Sequence, residues 1–164
     1  MSLLKKTLLE TPIGTMVAVS NDEFLYLLEF ADRLNLNERL HQLRPNIQTG
    51  RTNLLDSLQE ELTQYFAGTL QTFKTRLQMT GTPFQVRVWE ELLKIPYGTT
   101  ISYAVLASKI GKPSAFRAVA GANGANKLAI VIPCHRVIYA DGALGGYSGG
   151  LARKPQLLSV ENKS

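Results

Sequence analysis

The sequence predicts an α+β fold: a small N-terminal antiparallel sheet with a helix, followed by a mainly helical C-terminal domain containing a helix-turn-helix and a Pro-Cys-His-Arg loop. Three observations point there: short apolar runs broken by turn residues up to Phe30, apolar residues at helical spacing from Asn53 to Phe66, and a series of helix starts after Thr82. The 164 residues are expected to divide into domains at 1–80 and 81–164. With 45% hydrophobic and 19% charged residues the chain can bury a real core. No run approaches the ~18 apolar residues of a membrane span. The start, Met1-Ser2-Leu3-Leu4-Lys5-Lys6, lacks the apolar region and cleavage site of a signal peptide. A cytoplasmic, monomeric protein with no membrane partner is the expectation.

The segment Leu8 to Phe30 is interrupted at Pro12-Ile13-Gly14 and at Ser20-Asn21-Asp22-Glu23, which predicts a hairpin or meander. A polar passage follows around Arg44-Pro45-Asn46. Leu54, Leu55, Leu58, Leu62, Tyr65 and Phe66 then share a helical stripe, with Thr52 as N-cap and Gly68 just past the end. Thr69 to Met79 reads as a returning strand. Thr82-Pro83 opens a helix through Lys94, with Phe84, Val88, Trp89, Leu92 and Leu93 as its buried stripe. Pro96-Tyr97-Gly98 ends it. Ile101 to Ser108 predicts a second short helix stopped near Gly111-Lys112-Pro113, and Ser114 caps a third reaching about Ala122.

Helix, short glycine turn, helix is the helix-turn-helix pattern, though any helical hairpin in a core reads the same way. The third helix is unusual because Ala115, Ala118, Val119, Ala120, Gly121 and Ala122 leave it nearly bare, with Arg117 its one long polar group. Reading base edges in a major groove would need several Arg, Asn or Gln side chains. Bare helices suit either close approach to a narrow surface such as a minor groove, or tight packing on another helix.

Charge is uneven. Residues 1–82 carry eight Lys/Arg and nine Asp/Glu, net −1, while 83–164 carry ten and four, net +6. A pI near 9.4 with the excess on one half fits a polyanionic partner or a solvated basic face. The single cysteine lies in that half, in Ile132-Pro133-Cys134-His135-Arg136-Val137, between two strand-like runs, Leu128-Ala129-Ile130-Val131-Ile132 and Val137-Ile138-Tyr139. It reads as a small buried hydrophobe, or as a nucleophile whose thiolate an imidazole and a cation such as Arg136 would stabilise. One cysteine and two histidines, His41 and His135, offer no zinc-ligand spacing, so neither a metal nor a cofactor is expected.

Together these features resemble the O6-alkylguanine-DNA alkyltransferase family. The resemblance runs from Gly81-Thr82-Pro83-Phe84 through Ile95-Pro96-Tyr97-Gly98, Ile101-Ser102-Tyr103, Arg117-Ala118-Val119, Asn126, the cysteine loop and Tyr147-Ser148-Gly149-Gly150-Leu151 to Glu161. The N-terminal half matches loosely, through Thr11-Pro12-Ile13-Gly14. The family implies direct-reversal DNA repair: one irreversible transfer of the alkyl group from O6-alkylguanine to Cys134, with O4-alkylthymine as a second candidate substrate. His135 would deprotonate Cys134 through a water, Glu161 would fix the imidazole tautomer, and Asn126 would hold the turn before the cysteine. Tyr103 would push on the DNA backbone and donate toward guanine N3. Tyr147 would wall the base pocket, Ser148 meet O6, Lys154 orient their loop, and the carbonyls of Cys134 and Val137 take the exocyclic amine. Double-stranded DNA would dock through its minor groove on Ser114, Ala115, Arg117, Ala118, Tyr103 and Arg136, with Arg117 filling the gap left by the flipped base.

Two other functions share some of these residues. A lesion-recognition protein would bind without transfer, and a Cys-His hydrolase would cleave amides or esters, though its base normally comes from a distant position. Pro155, early in an expected last helix Leu151 to Glu161, could displace Glu161 from His135.

Overall fold

The structure, a computed structural model, describes residues 3–43, 47–147 and 149–162. It separates into two compact units, Met1–Met79 and Thr80–Ser164.

In the first unit β1 (Lys5–Thr11), β2 (Gly14–Ser20) and β3 (Leu25–Phe30) form an antiparallel meander, as the turn residues require. After α1 (Leu36–Leu43), the two-residue β4 (Gln48–Thr49) pairs parallel with β1, giving the order β3-β2-β1-β4. The sheet is covered on both faces, so β2 is buried from Met16 to Ser20 instead of alternating. Val17 and Val19 join Leu4 and Leu27 in a cluster closed by Leu36, Leu40 and Leu43 of α1. The alternate residues Met16 and Ala18 point to the other face. There α2 (Asn53–Phe66) packs on β1 and β2 and buries Leu55, Leu58, Leu62 and Tyr65. Thr52 caps α2 by accepting from the Leu55 N–H at 3.0 Å, and Gly68 takes the left-handed turn at φ 81°.

Residues 69–79 do not form the expected strand. Glu61 of α2 accepts from the Lys74 N–H at 2.6 Å and from the Thr75 N–H at 3.3 Å, which occupies donors a ladder would use. Only Leu77 bridges, to Leu25. The passage Arg44-Pro45-Asn46 lies outside the described residues.

The second unit begins with α3 (Pro83–Leu92), closed by a reciprocal capping box between Thr82 and Gln85. Gly81 is required here: a Cβ on it would stand 2.6 Å from the Trp89 ring. Val88, Trp89 and Leu92 are buried as expected, but Phe84 is half-buried and Leu93, one residue past the helix, is 43% exposed. Ile101 and Ser102 form β5 instead of opening a helix, and Ser102 caps α4 (Tyr103–Lys109) through the Val105 N–H at 3.1 Å. The Gly111 turn leads to α5 (Phe116–Gly124), so the helix-turn-helix stands. Ser114 is not its cap. The Ala115 N–H bonds back to Lys112 O at 2.9 Å, which puts Ser114 inside a turn and starts the helix one residue later, with no side-chain cap.

Of the two flanks of the cysteine, the one after it is a short strand at Val137–Ile138 and the one before it is not the strand expected. Ile132 N–H reaches Leu128 O at 2.9 Å and Val131 N–H reaches Ala129 O at 2.8 Å, so the run folds on itself in tight turns. Buried Ile130 is held at φ 71°, a strained setting for a β-branched residue. Cys134–Arg136 form one 3₁₀ turn, followed by the short β6 (Val137–Ile138) and, after a long loop, by α6 (Arg153–Asn162).

Candidate active site

Pairing of β5 with β6, Ile101 to Val137 and Ser102 to Ile138, sets the start of α4 beside the cysteine turn. Tyr103 and Cys134 therefore line one cavity of about 350 Å³ with Ala120, Asn123, Gly124, Tyr139, Gly146 and Tyr147. Cys134 is 2% exposed. Its sulfur accepts from Asn126 Nδ2 at 3.3 Å, and the same nitrogen donates to Ile132 O at 2.9 Å while Asn126 Oδ1 accepts the Leu128 N–H at 2.9 Å. One buried amide thus ties both ends of the strained turn to the thiol.

Beside the thiol lies a second polar system. Glu161 Oε2 meets His135 Nε2 at 2.7 Å and accepts from Arg136 Nη2 at 3.1 Å; Oε1 accepts from Arg136 Nε at 2.8 Å and from the Gly98 N–H at 3.2 Å. Gly98 is at φ 77°, which explains the glycine that follows Pro96-Tyr97. Burial holds the His135 pKa below its ordinary value, against the opposing pull of Glu161. A neutral ring that donates Nε2–H to the carboxylate leaves Nδ1 unprotonated, a base lone pair. Pro155 does no harm. Helix α6 starts at Arg153, so Pro155 is its third residue, where the missing N–H would have had no intrahelical acceptor.

Arg136 is placed differently from its expected roles at the thiol and on DNA. It is 7% exposed, its guanidinium grips Glu161 and donates to Ile95 O at 2.7 Å, and it lies 5.7 Å from the Tyr97 ring centre. The cation that senses the cysteine is Lys154, whose pKa burial lowers and Cys134 pulls back up. Its ammonium also donates to Leu144 O and, at 3.1 Å, to Gly146 O, so it fastens the loop that carries Tyr147. Val137 is buried and donates its N–H to Cys134 O. Ser148 lies outside the described residues. The Tyr103 pKa is raised by burial first and by Tyr139 and Cys134 next, which keeps the phenol a donor.

Ser114, Arg117, Ala118 and Gly121 are exposed on one face of the third helix region, and Ala115 is half-buried. A Cβ at Gly121 or Gly124 would meet nothing within 4 Å. Packing within the described residues therefore does not account for these two glycines.

The sequence reading missed Asn123 and Tyr139. Asn123, three residues before Asn126 at the end of a bare helix, is 4% exposed and donates from Nδ2 to Cys134 O at 3.3 Å. Tyr139 rests against Tyr103, with ring centres 5.2 Å apart, and against Phe116 at 6.5 Å. The spacing of two amides and the apolar ending of the cysteine motif were the available signals. Among the described residues no group of His, Cys, Asp and Glu is arranged to hold a metal.

A solitary thiol at the wall of a cavity, backed by an oriented imidazole, defines a nucleophilic site, and a helix-turn-helix stands in the same unit. Residues 83–163 match the family described as 6-O-methylguanine DNA methyltransferase, DNA binding domain. A methylated-DNA–protein-cysteine methyltransferase of Mycobacterium bovis is 42% identical over 153 residues, 93% of this chain and 89% of that protein. One from Methanosarcina barkeri is 40% identical, with 96% of each chain covered. The crystal structure of Mycobacterium tuberculosis OGT in complex with DNA superposes with a TM-score of 0.86 at 38% identity, covering 98% of this chain and 92% of that one. The chain belongs to the methylated-DNA–protein-cysteine methyltransferase family.

Proposed function

We propose that the protein repairs O6-alkylguanine in double-stranded DNA by moving the alkyl group to Cys134, once per molecule. The observation that carries this is the cavity: Cys134 opens onto it beside Tyr103, while His135 and Glu161 stand behind the thiol. His135 Nδ1 takes the thiol proton through a water, and the Nε2–H held by Glu161 keeps that nitrogen basic. The thiolate attacks the alkyl carbon in line. The S–C bond forms as the C–O6 bond breaks, and the electron pair leaves with the guanine ring. Tyr103, kept protonated by its burial, donates toward N3 as negative charge develops there. The product is a thioether with no route back, so turnover stops at one.

The target carbon is shielded inside a duplex, so the nucleotide must swing out at a cost of roughly a few kcal/mol. The exposed Ser114, Arg117, Ala118 and Gly121 face suits a minor groove, with Arg117 filling the vacated stack. The relative from M. tuberculosis was crystallised with DNA, which supports DNA as the partner. Tyr147 walls the base pocket and Lys154 holds its loop in place. A lesion count tests the reading: duplex O6-methylguanine should disappear in proportion to protein and stop at one lesion per molecule. Repeated turnover, or no loss of the lesion, contradicts it.

A further inference from the structure

Between the bare face of α5 and the mouth of the cavity lie two aromatic side chains that the chemistry described above does not use. Phe116 opens α5, one residue before Arg117, and Tyr139 follows β6 and lines the cavity. Both rings pack on Tyr103, with centres 5.9 Å and 5.2 Å from it, and they lie 25° from parallel with each other at 6.5 Å. Tyr103 is thereby left 5% exposed, while Phe116 is 37% exposed and Tyr139 44%. Covering Tyr103 accounts for part of each ring and leaves the rest open to solvent.

The arrangement is fixed before anything binds. Tyr139 donates its N–H to Ala143 O at 2.9 Å and accepts the Gly142 N–H on its carbonyl at 3.0 Å, which closes a turn. The loop then runs directly against the rings at Gly145, where φ is 72° and a Cβ would stand 3.0 Å from the Tyr139 ring and 3.4 Å from the Tyr103 ring. A rim held in this way has already lost the side-chain freedom that binding would otherwise cost.

Position decides what meets it. Arg117 lies on the DNA face, and Tyr103 and Cys134 lie in the cavity, so a nucleotide swung from one to the other carries its backbone across Phe116 and Tyr139. The base itself enters the cavity. Phosphates share the sign of the negative face of an aromatic ring and are not drawn to it. What remains to touch the rings is the deoxyribose, whose C–H surface is apolar.

We propose that Phe116 and Tyr139 seat the deoxyribose of the extruded nucleotide, so that the protein grips a nucleotide and not only a base. The assignment rests on the alkyl-transfer reading above.

The test measures single-turnover methylation of Cys134 by free O6-methylguanine and by a single-stranded oligonucleotide with one O6-methylguanine, which has no base pairs to open. The ratio of the oligonucleotide rate to the free-base rate should fall roughly three- to tenfold in Phe116→Ala and in Tyr139→Ala, the range of one aromatic contact. It should return in Phe116→Tyr and Tyr139→Phe, which keep a ring at each place. Rings that only support Tyr103 would lower both rates together, and an unchanged ratio overturns the assignment. So does loss of the effect when the nucleotides flanking the lesion are abasic, which would give the rings to a neighbouring base. No transfer by the wild type from the free base, the single strand or a duplex would instead sink the alkyl-transfer reading beneath it.

Discussion

Two buried carboxylates of this chain are built alike and differ in what surrounds them. Glu29 on β3 is 1% exposed and ion-paired with Arg33 at 2.8 Å and Arg39 at 3.6 Å. Glu161 on α6 is equally buried, with Arg136 at 2.8 Å and His135 at 2.7 Å. Both satisfy the rule that a buried charge is paired. The difference lies in the second partner. Neither guanidinium beside Glu29 can release a proton near neutral pH, so that cluster can only hold a strand and a helix together. At Glu161 one partner is an imidazole, the residue just before that imidazole is the thiol, and Arg136 supplies the fixed positive charge beside the carboxylate. Pairing alone does not make a site; a titratable partner beside a nucleophile does.

The largest effect expected from breaking this comparison is at Glu161. Glu161→Gln removes the orienting charge and strands the Arg136 guanidinium, so single-turnover methyl transfer should slow by on the order of a hundredfold. Thermal unfolding should also show a loss of roughly 3–5 kcal/mol. Glu29→Gln should lower stability by about 1–3 kcal/mol, since its arginines are partly solvated, and leave the transfer rate within about twofold. A matching rate loss in both would mean that the two carboxylates share a structural role only.

A smaller effect is expected on the exposed helix face. Arg117→Ala should slow repair of a duplex lesion by about tenfold while sparing reaction with the free O6-methylguanine base, because flipping costs only a few kcal/mol. Equal losses on the two substrates would remove the gap-filling role.

The smallest effect is a pH dependence, and its sign follows from burial. His135 has a folded pKa below its unfolded 6.5. Between those values the unfolded chain binds more protons, so stability rises with pH up to about 6.5 and is flat above. Transfer by the folded protein should stay level through this window and fall only below the lowered folded pKa, where protonating His135 removes the base. Urea unfolding and transfer rates from pH 5 to 8 check it, and a rise in stability on acidification through this window would contradict a buried neutral imidazole.

Much of this site was readable in the sequence, and the reasons for the rest are physical. Local chemistry announces itself: Thr52, Thr82-Pro83 and the Gly111 turn set their helices as capping and φ preferences demand. Cys134 beside His135 stood out as a lone thiol next to an imidazole, Glu161 came from a resemblance, and the fold brings His135 and Glu161 to 2.7 Å. Reading by periodicity failed at 128–132 and 69–79, where apolar or polar runs are held by turns and by one side chain in place of a partner strand. It also failed at Arg136, since sequence gives the charge of an arginine but not the carboxylate that claims it. Asn123 could not be read, because its significance is a buried amide that donates to the Cys134 carbonyl at 3.3 Å, a contact that exists only once the chain is folded.

The measurement that bears most directly on the central claim is intact-mass spectrometry with peptide mapping after exposure to a duplex carrying one O6-methylguanine. A gain of one methyl on Cys134, saturating at one per protein and absent in Cys134→Ser, is the predicted result. An unmodified Cys134 in protein that binds the lesion tightly would show that this site recognises alkylated guanine without accepting its alkyl group.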